Sequence, residues 1–265
     1  MNTTTKYLEQ MLNVKFDPTF LPIVATSFIV FTSLYKFVNP VLSNLLVKNY
    51  KNLTETQQID WNTRINSSIN SIVVGTICVY MMIADCGLNA NPLVYKSYLL
   101  KTNLSIVIGY LLSDTIIGII HYKNIGDPFS LAHHFVSIYA FVYVLTLNVM
   151  PYFANFRLLA ELSTPSVNIR WFLDALKYPR TSKIFILNGL FMTIVFFFVR
   201  IFAMPIYWWK VYTVAITPLW SQMGHFRFIL IVVCVVLDVI NLYWFSKMFR
   251  GCVKILTDAS KKRHD

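Results

Sequence analysis

Six apolar stretches, each long enough to cross a bilayer as a helix, dominate this sequence. A transmembrane helix needs about 20 mostly apolar residues, and the stretches that qualify are residues 20–38, 65–83, 103–120, 131–150, 184–204 and 226–249. Only 13% of the 265 residues are charged and the mean hydropathy is +0.57, whereas about 25% are charged in soluble domains. The chain is therefore predicted to be an all-α, multi-pass integral membrane protein.

A seventh segment, residues 153–176, is less apolar and decides the number of spans. It is rich in Phe, Leu, Ile and Trp but carries the charged residues Arg157, Glu161, Arg170 and Asp174. A lipid-facing loop of about 30 residues would leave backbone groups without partners. We therefore predict that this segment spans, with its charged side chains turned inward. A shorter run, residues 211–220, contains a proline and is predicted to be a connection or a re-entrant piece.

The formal net charge of +11 arises from basic residues in short loops and in the tail, residues 255–265. No basic soluble module is present, so nucleic-acid binding is not predicted. Cytoplasmic loops concentrate Lys and Arg, which predicts a cytoplasmic C-terminus and, with seven spans, a lumenal N-terminus. The glycosylation acceptor Asn52–Leu53–Thr54 would meet the glycosylation machinery only in a six-span arrangement.

Ionisable side chains gather where the third and fourth apolar stretches meet. His133 and His134 open the fourth stretch, while Asp114 lies in the third stretch and His121 ends it. Ionisable groups at membrane depth are costly and mark functional sites by default. In an antiparallel pair joined by a short turn, residues equidistant from the turn lie at similar depth. This rule brings Asp114 to about the level of Ser137.

The ambiguous seventh segment adds polar groups near the same depth. Asn168 and Arg170 are predicted to lie opposite the histidines, with Glu161 nearer the middle of the membrane. Pro165 removes a backbone donor, so it is predicted to disturb the helix near Glu161.

Further charges lie in the last two spans. Asp238 is midway along the final span and needs an inward partner, for which Arg157 and Arg200 are candidates. Arg200 is nevertheless expected to snorkel to the lumenal interface. The aromatic run Tyr207–Trp208–Trp209 is typical of an interfacial belt.

The polar cluster has three chemical interpretations. A histidine held by a carboxylate can act as a general base, so His133, His134 and Asp114 are candidate catalytic residues for acyl transfer on a lipid. Histidines with carboxylates can also bind a metal. The chain has only five histidines, with His225 and His264 remote, and its four cysteines form no CxxC pair, so no metal site is predicted. In the third interpretation the polar pairs only fix helix packing, each contributing about 0.6 kcal/mol.

The order of these features resembles the TLC-domain family, which includes translocation-associated membrane proteins, ceramide synthases and a neuronal ceroid-lipofuscinosis membrane protein. The matching residues are Ser113–Asp114, Leu131–Ala132–His133–His134–Phe135, Glu161–Leu162–Ser163–Thr164–Pro165 and Asn168–Ile169–Arg170–Trp171. The last two stretches are most similar to the smaller TLC domain-containing transmembrane proteins. In ceramide synthases the helix after the histidine pair carries a further His–Asp pair, whereas the corresponding helix here has no histidine.

The resemblance implies a TLC domain over residues 51–254, with about six helices around a lipid-accessible cavity. Residues 1–50 would supply an N-terminal tail and one extra helix, and residues 255–265 a basic cytoplasmic tail. The resemblance identifies His133 and His134 with the family's histidine pair. The expected polar lining of the cavity is His121, Ser137, Glu161, Asn168, Arg170 and Asp238.

The function implied by the resemblance is membrane lipid homeostasis in the endoplasmic reticulum or connected membranes. Its partners would be membrane lipids or acyl chains, with no cofactor, and a homo-oligomer is one alternative for its assembly. The alternative activity is an acyltransferase that uses the histidine pair as general base and acyl-CoA as co-substrate, with Lys123, Arg170 and Lys177 attracting the phosphates. Cargo escort is a third alternative, for which nothing in the sequence is specific.

Overall fold

A computed structural model describes residues 18–221 and 226–261. Labelled in chain order, the long helices are α1 (Pro18–Leu46), α2 (Glu55–Ala84), α3 (Tyr98–Ile120), α4 (Pro128–Leu147), α5 (Pro151–Arg157, Leu158–Ser163 and Thr164–Ala175), α6 (Lys183–Ala215) and α7 (Phe226–Lys261). All except α5 include a stretch long and apolar enough to cross a membrane. The predicted all-α polytopic bundle is confirmed. The N-terminal tail before residue 18, His225 and residues 262–265 of the basic tail lie outside the described residues.

The ambiguous seventh segment forms α5, which lies antiparallel along α2. Near one end the Asn155 amide donates to the Cys78 carbonyl at 3.2 Å, and near the other the Asn168 amide donates to the Arg64 carbonyl at 3.1 Å. The paired stretch covers about 14 residues, or about 21 Å. α5 therefore follows a spanning helix over most of a bilayer's hydrocarbon thickness, as a seventh span requires.

Local sequence explains where α2 and α4 begin. The Thr54 hydroxyl accepts from the Gln57 backbone N–H at 3.2 Å, and the Gln57 side chain accepts from the Thr54 N–H at 3.0 Å, forming a capping box. Asp127 caps α4 by accepting from the Ser130 backbone N–H, with Pro128 in the first turn. The hydroxyl of Ser130 also donates to this carboxylate at 2.6 Å, which lowers the pKa of Asp127.

The predicted disturbance before Pro165 is present in α5. The helix narrows to a 3₁₀ segment over Leu158–Ser163. Because Pro165 has no N–H for the Glu161 carbonyl, the Thr164 backbone N–H donates to that carbonyl instead. The tighter winding changes which side chains of α5 face α6 and α7.

The N-terminal helix packs on α3 through small residues. A Cβ added to Gly109 would lie 2.5 Å from the Val24 carbonyl oxygen of α1. Around this contact the Ser27 hydroxyl donates to the Ile106 carbonyl at 2.7 Å. Small residues at such crossings let transmembrane helices approach closely, so Gly109 sets the distance between α1 and α3 at this crossing.

Residues 211–220 differ from the prediction of a separate connection or re-entrant piece. The first part of this run continues α6 to Ala215, and Pro218 then begins the short helix Pro218–Ser221. α6 therefore ends three residues before Pro218, which stands at the first position of the next helix, where its missing N–H would have no partner within the helix. α6 also contains a π-helical segment, Phe197–Phe202.

Candidate functional site

A cavity of about 340 Å³ lies between α4 and α7, with α5 and α6 behind it. Sites for small molecules usually enclose about 300–1,000 Å³. On α4 the lining side chains recur every three or four residues, as one helical face does, whereas on α7 they cover a wider arc. On α4 they are Phe129, Ala132, His133, Val136, Ser137, Ala140, Phe141 and Val144, and on α7 they are Leu230, Val232, Val233, Cys234, Val236, Leu237 and Ile240.

The cavity is long and mostly apolar. From Phe129 to Val144 it follows α4 for about 22 Å, which is most of the roughly 30 Å hydrocarbon core of a bilayer. Val236 of α7 lines it and is 52% exposed, so the cavity reaches the outer surface of the bundle. Its shape suits an extended apolar molecule that enters from the side.

The two adjacent histidines face different surroundings. His133 lines the cavity, as does Ser137 one turn later. His134 faces α3, where its Nδ1 lies 3.2 Å from the Thr115 hydroxyl and its Nε2 lies 3.7 Å from Asp114 Oδ2. Neighbouring residues on a helix point about 100 degrees apart, so the pair cannot act as one unit toward a single ligand atom.

Hydrogen bonding around Thr115 fixes a proton on His134. The single hydroxyl proton of Thr115 is donated to the Leu111 carbonyl at 2.6 Å. The Thr115 oxygen therefore accepts from His134, whose Nδ1 carries a proton. The remaining nitrogen faces Asp114 at a distance longer than a hydrogen bond. His134 is thus held between helices, while His133 lines the cavity.

The α5 residues predicted to lie opposite the histidines bind neighbouring helices instead. Asn168 accepts from Arg64 Nη1 at 3.2 Å and donates to the Ser68 hydroxyl at 2.9 Å, both on α2. Arg170 donates to the Phe185 carbonyl of α6 at 3.0 Å. Neither side chain is among those that line the described cavity. Their hydrogen bonds hold α5 to α2 and α6.

His121 and Glu161 also lie apart from the described cavity. His121 ends α3, and the centre of its ring is 6.2 Å from that of Tyr35 on α1. Glu161 accepts from the Ser71 hydroxyl of α2 at 2.8 Å. Of the expected polar lining, the structure places Ser137 on the cavity wall with His133, and distributes the other members among helix contacts.

Asp238 pairs with an arginine inside the bundle, as predicted for a carboxylate midway along a span. Arg157 Nη1 donates to Asp238 Oδ1 at 2.7 Å, and the Trp208 indole N–H donates to Oδ2 at 2.7 Å. The prediction that Asp238 pairs with an arginine is confirmed, with Arg157 as the partner. Arg157 itself lines the cavity, a position that counting residues along the chain does not predict. Its signal in the sequence was a charge within a stretch long enough to span.

Arg200 does not snorkel to the interface as expected. Its Nε donates to the Ser163 hydroxyl at 2.9 Å and its Nη2 to the Ala160 carbonyl at 3.0 Å. Its Nη1 donates to Asn241 Oδ1 at 3.0 Å. The physical reason is that α5 and α7 supply three hydrogen-bond acceptors inside the bundle. These acceptors replace the hydrogen bonds that water would make with the guanidinium at the interface.

The aromatic run on α6 is also not a simple interfacial belt. Tyr207 is buried and lines the cavity, Trp208 binds Asp238, and Trp209 is exposed. Three consecutive helical residues point in three directions, so they cannot share one environment. Tyr207 therefore belongs to the cavity wall, beside Arg157.

In the part of the chain that the structure describes, no group of three His, Cys, Asp or Glu side chains could hold a metal ion. The polar groups that line the cavity are a histidine, a serine, an arginine, a tyrosine and a cysteine. They can donate and accept hydrogen bonds and, through His133, accept a proton.

The long apolar helices define a polytopic helical membrane protein, with a cavity between α4 and α7. The TLC domain model matches residues 60–250, and the chain belongs to the TLC-domain family. It is 41% identical over 242 residues to TLC domain-containing protein 4-B of Danio rerio, covering 91% of this chain and 92% of that protein. It is 39% identical over 244 residues to TLC domain-containing protein 4 of Homo sapiens, covering 92% and 93%. No solved structure matches.

Proposed function

We propose that this protein binds acyl-chain lipids in the cavity between α4 and α7 and acts in membrane lipid homeostasis. The observation that carries the proposal is the cavity itself, which is apolar, follows α4 for about 22 Å and reaches the bundle surface. An acyl chain has the matching shape and polarity. A lateral opening lets it enter without leaving the bilayer.

Polar contacts must supply much of the selectivity. A lipid chain is already in an apolar medium in the bilayer, so transferring it into the cavity gains little from the hydrophobic effect. Packing and hydrogen bonds then decide which lipid stays. His133, Ser137 and Arg157 are polar groups on the wall that can make such bonds.

The proposal is tested by narrowing the cavity. We expect Val236→Trp to reduce labelling of the protein by a photoactivatable oleic acid in nanodiscs to near background, because the larger side chain fills space on the cavity wall. Val235→Trp is the matched control, since Val235 is the preceding residue, is 46% exposed and is not among the cavity-lining residues. Labelling should be unchanged in this control. Equal labelling of the Val236 variant and wild type would contradict the proposal.

A second candidate function is acyl transfer from acyl-CoA to a lipid. The observation that favours it is His133 on the cavity wall, one turn from Ser137, with its neighbour His134 fixed beside Asp114. In this function His133 takes the proton of a hydroxyl or amine nucleophile as it attacks the acyl carbonyl, and the CoA thiolate leaves and is protonated.

Separate histidine variants test the second function. We expect His133→Ala to abolish any protein-dependent incorporation of isotope-labelled acyl groups in cells, because it removes the base. His134→Ala is expected to lower incorporation only partly, since it removes a helix contact. The readout is isotope-traced lipidomics at equal membrane abundance. Unchanged incorporation in the His133 variant would exclude His133 as the base.

We also propose seven spans, a lumenal N-terminus and a cytoplasmic C-terminus in the endoplasmic reticulum. With α5 spanning, the connections after α1, α3 and α5 share one side with the end of α7. They carry the basic residues Lys48, Lys51, Lys123, Lys177 and Arg180, whereas the opposite connections carry Lys96. This imbalance favours the cytoplasm for the first side.

Two natural acceptor sites test this topology. We expect Asn2, in Asn2–Thr3–Thr4, to be glycosylated and Asn52 to remain unmodified, because only the former would be lumenal. The measurement is the mobility shift after endoglycosidase treatment of wild type, Asn2→Gln and Asn52→Gln. A shift that disappears in the Asn52 variant would require the opposite placement of the first connection.

A further inference from the structure

Two polar side chains on the α4 wall of the cavity, His133 and Ser137, keep their hydrogen-bonding groups available. They lie one turn apart on one helical face, and both line the cavity. Within the described residues neither side chain makes a hydrogen bond, His133 is exposed, and the Ser137 oxygen keeps accessible surface. The hydroxyls of Thr115 and Thr146, by contrast, each donate to the carbonyl four residues back. The Ser137 hydroxyl is therefore available to a ligand.

The other polar side chains of the described cavity wall already have partners. Arg157 pairs with Asp238 at 2.7 Å, so their charges offset each other. The Tyr207 hydroxyl and the Cys234 sulfur lie 3.1 Å apart and pair with each other. No carboxylate is among the described lining side chains. A charged headgroup would lose its hydration there without gaining a counter-ion, which costs more than burying a hydroxyl that is hydrogen-bonded.

The two available side chains suit a hydroxyl group. Side chains one helical turn apart have Cβ atoms about 5–6 Å apart, and one oxygen that makes two hydrogen bonds of about 2.8 Å can bridge such a distance. A hydroxyl donates one hydrogen bond and accepts another, as a neutral imidazole and a serine also do. A carbonyl oxygen only accepts, so it would leave the acceptors of His133 and Ser137 unused.

These two side chains lie near one end of the cavity. His133 and Ser137 are within the first three turns of α4. The wall toward the α4–α5 turn includes Val144, Met150 and Phe153, which are apolar and at most 5% exposed. A lipid whose hydroxyl lies between His133 and Ser137 therefore extends its chain toward the α4–α5 turn.

We infer that the cavity binds an uncharged lipid with a hydroxyl head and a single hydrocarbon chain, such as a fatty alcohol or a monoacylglycerol, and that His133 and Ser137 bind its hydroxyl. The inference rests on the proposed lipid-binding function and specifies its ligand and orientation. A single chain is expected because the cavity, at about 340 Å³, is near the lower limit of small-molecule sites.

The test is competition against the photoactivatable oleic acid in nanodiscs. The competitors have the same chain length and differ in the head: oleyl alcohol, methyl oleate, oleic acid and octadecene. We expect oleyl alcohol to halve the labelling of wild type at a concentration about tenfold lower than octadecene or methyl oleate requires, because it makes two hydrogen bonds. Oleic acid should compete more weakly than the alcohol, since the cavity offers its charge no counter-ion.

Variants of the two side chains assign this preference to them. Ser137→Ala removes one hydrogen bond, so oleyl alcohol should need a concentration about threefold to tenfold higher, while octadecene competes as before. His133→Leu should have the same selective effect. The matched control is Thr146→Val on the same helix. The Thr146 hydroxyl donates to the Val142 carbonyl at 2.8 Å and Thr146 is not among the cavity-lining residues, so every competitor should act as in wild type.

The outcomes separate this inference from the proposed function. If Val236→Trp abolishes labelling but wild type does not prefer the alcohol, the cavity binds lipid and the hydroxyl assignment is overturned. Equal competition by methyl oleate, or stronger competition by oleic acid, would also overturn it. If the preference survives in both Ser137→Ala and His133→Leu, the hydroxyl is bound elsewhere and the inference fails. If Val236→Trp is labelled as wild type is, the proposed function and the inference fail together.

Discussion

Arg157→Leu is expected to lower the free energy of unfolding by about 3–5 kcal/mol, because it leaves Asp238 buried without its counter-ion. The two side chains are 22% and 10% exposed and their atoms meet at 2.7 Å. The Trp208 hydrogen bond alone cannot compensate a full negative charge inside a bundle. Unfolding in mixed micelles, followed by tryptophan fluorescence, measures the effect.

The same measurement on two more variants identifies the cause. Arg157→Leu/Asp238→Leu should recover most of the lost stability, because replacing both ions by apolar residues leaves no unpaired charge. Arg180→Leu is the control: it breaks the pair with Asp174, whose partners are 78% and 53% exposed, and should cost less than about 1 kcal/mol. If Arg157→Leu costs no more than this control, the buried pair does not stabilise the bundle.

Gly109→Ala is expected to lower the free energy of unfolding by about 3 kcal/mol, at the upper end of the cost of overpacking. The added Cβ would lie 2.5 Å from the Val24 carbonyl oxygen and 2.6 Å from Ser27 Cβ. A backbone atom cannot rotate away, so α1 must shift as a whole. That shift also strains the hydrogen bond between the hydroxyls of Thr32 and Ser113, which is 2.9 Å long.

The matched control is Gly118→Ala on the same helix. Its Cβ would meet only Leu131 Cδ2, at 3.7 Å, which is ordinary contact. Because alanine favours helix over glycine by about 1 kcal/mol, this variant should be neutral or slightly stabilising. Limited proteolysis before α2 would show whether α1 separates in the Gly109 variant. Equal stability of the two variants would mean that α1 and α3 do not pack closely.

Apolar length predicted the spanning helices because each such run must be removed from water whatever its neighbours are. Residues 103–120 lie within α3, and residues 20–38 lie within α1. The predicted ends of the helices differ most from those in the structure where a π-helical segment lets a helix continue. α1 continues past Pro40 to Leu46 after its π-helical segment, Leu34–Val38.

Partners of the polar side chains were harder to predict. Equal distance from the turn predicts Asp114 level with Ser137, but Asp114 lies against His134, about one turn closer to the connection. Depth alone predicts that Asn168 and Arg170 lie near the histidines, whereas they bind α2 and α6. Depth follows from counting residues, whereas direction depends on how each helix is rotated about its axis.

The order of the residues is enough to identify a multi-pass helical protein of the TLC-domain family, with ionisable groups at membrane depth. Hydropathy and short motifs are properties of neighbouring residues, so they can be recognised without knowing how the chain folds. Helix packing, by contrast, turns His133 toward the cavity and His134 toward α3, and it pairs Asp238 with Arg157 rather than with Arg200. The reason is that the rotation and register of packed helices, together with the 3₁₀ and π-helical segments, set the direction of each side chain.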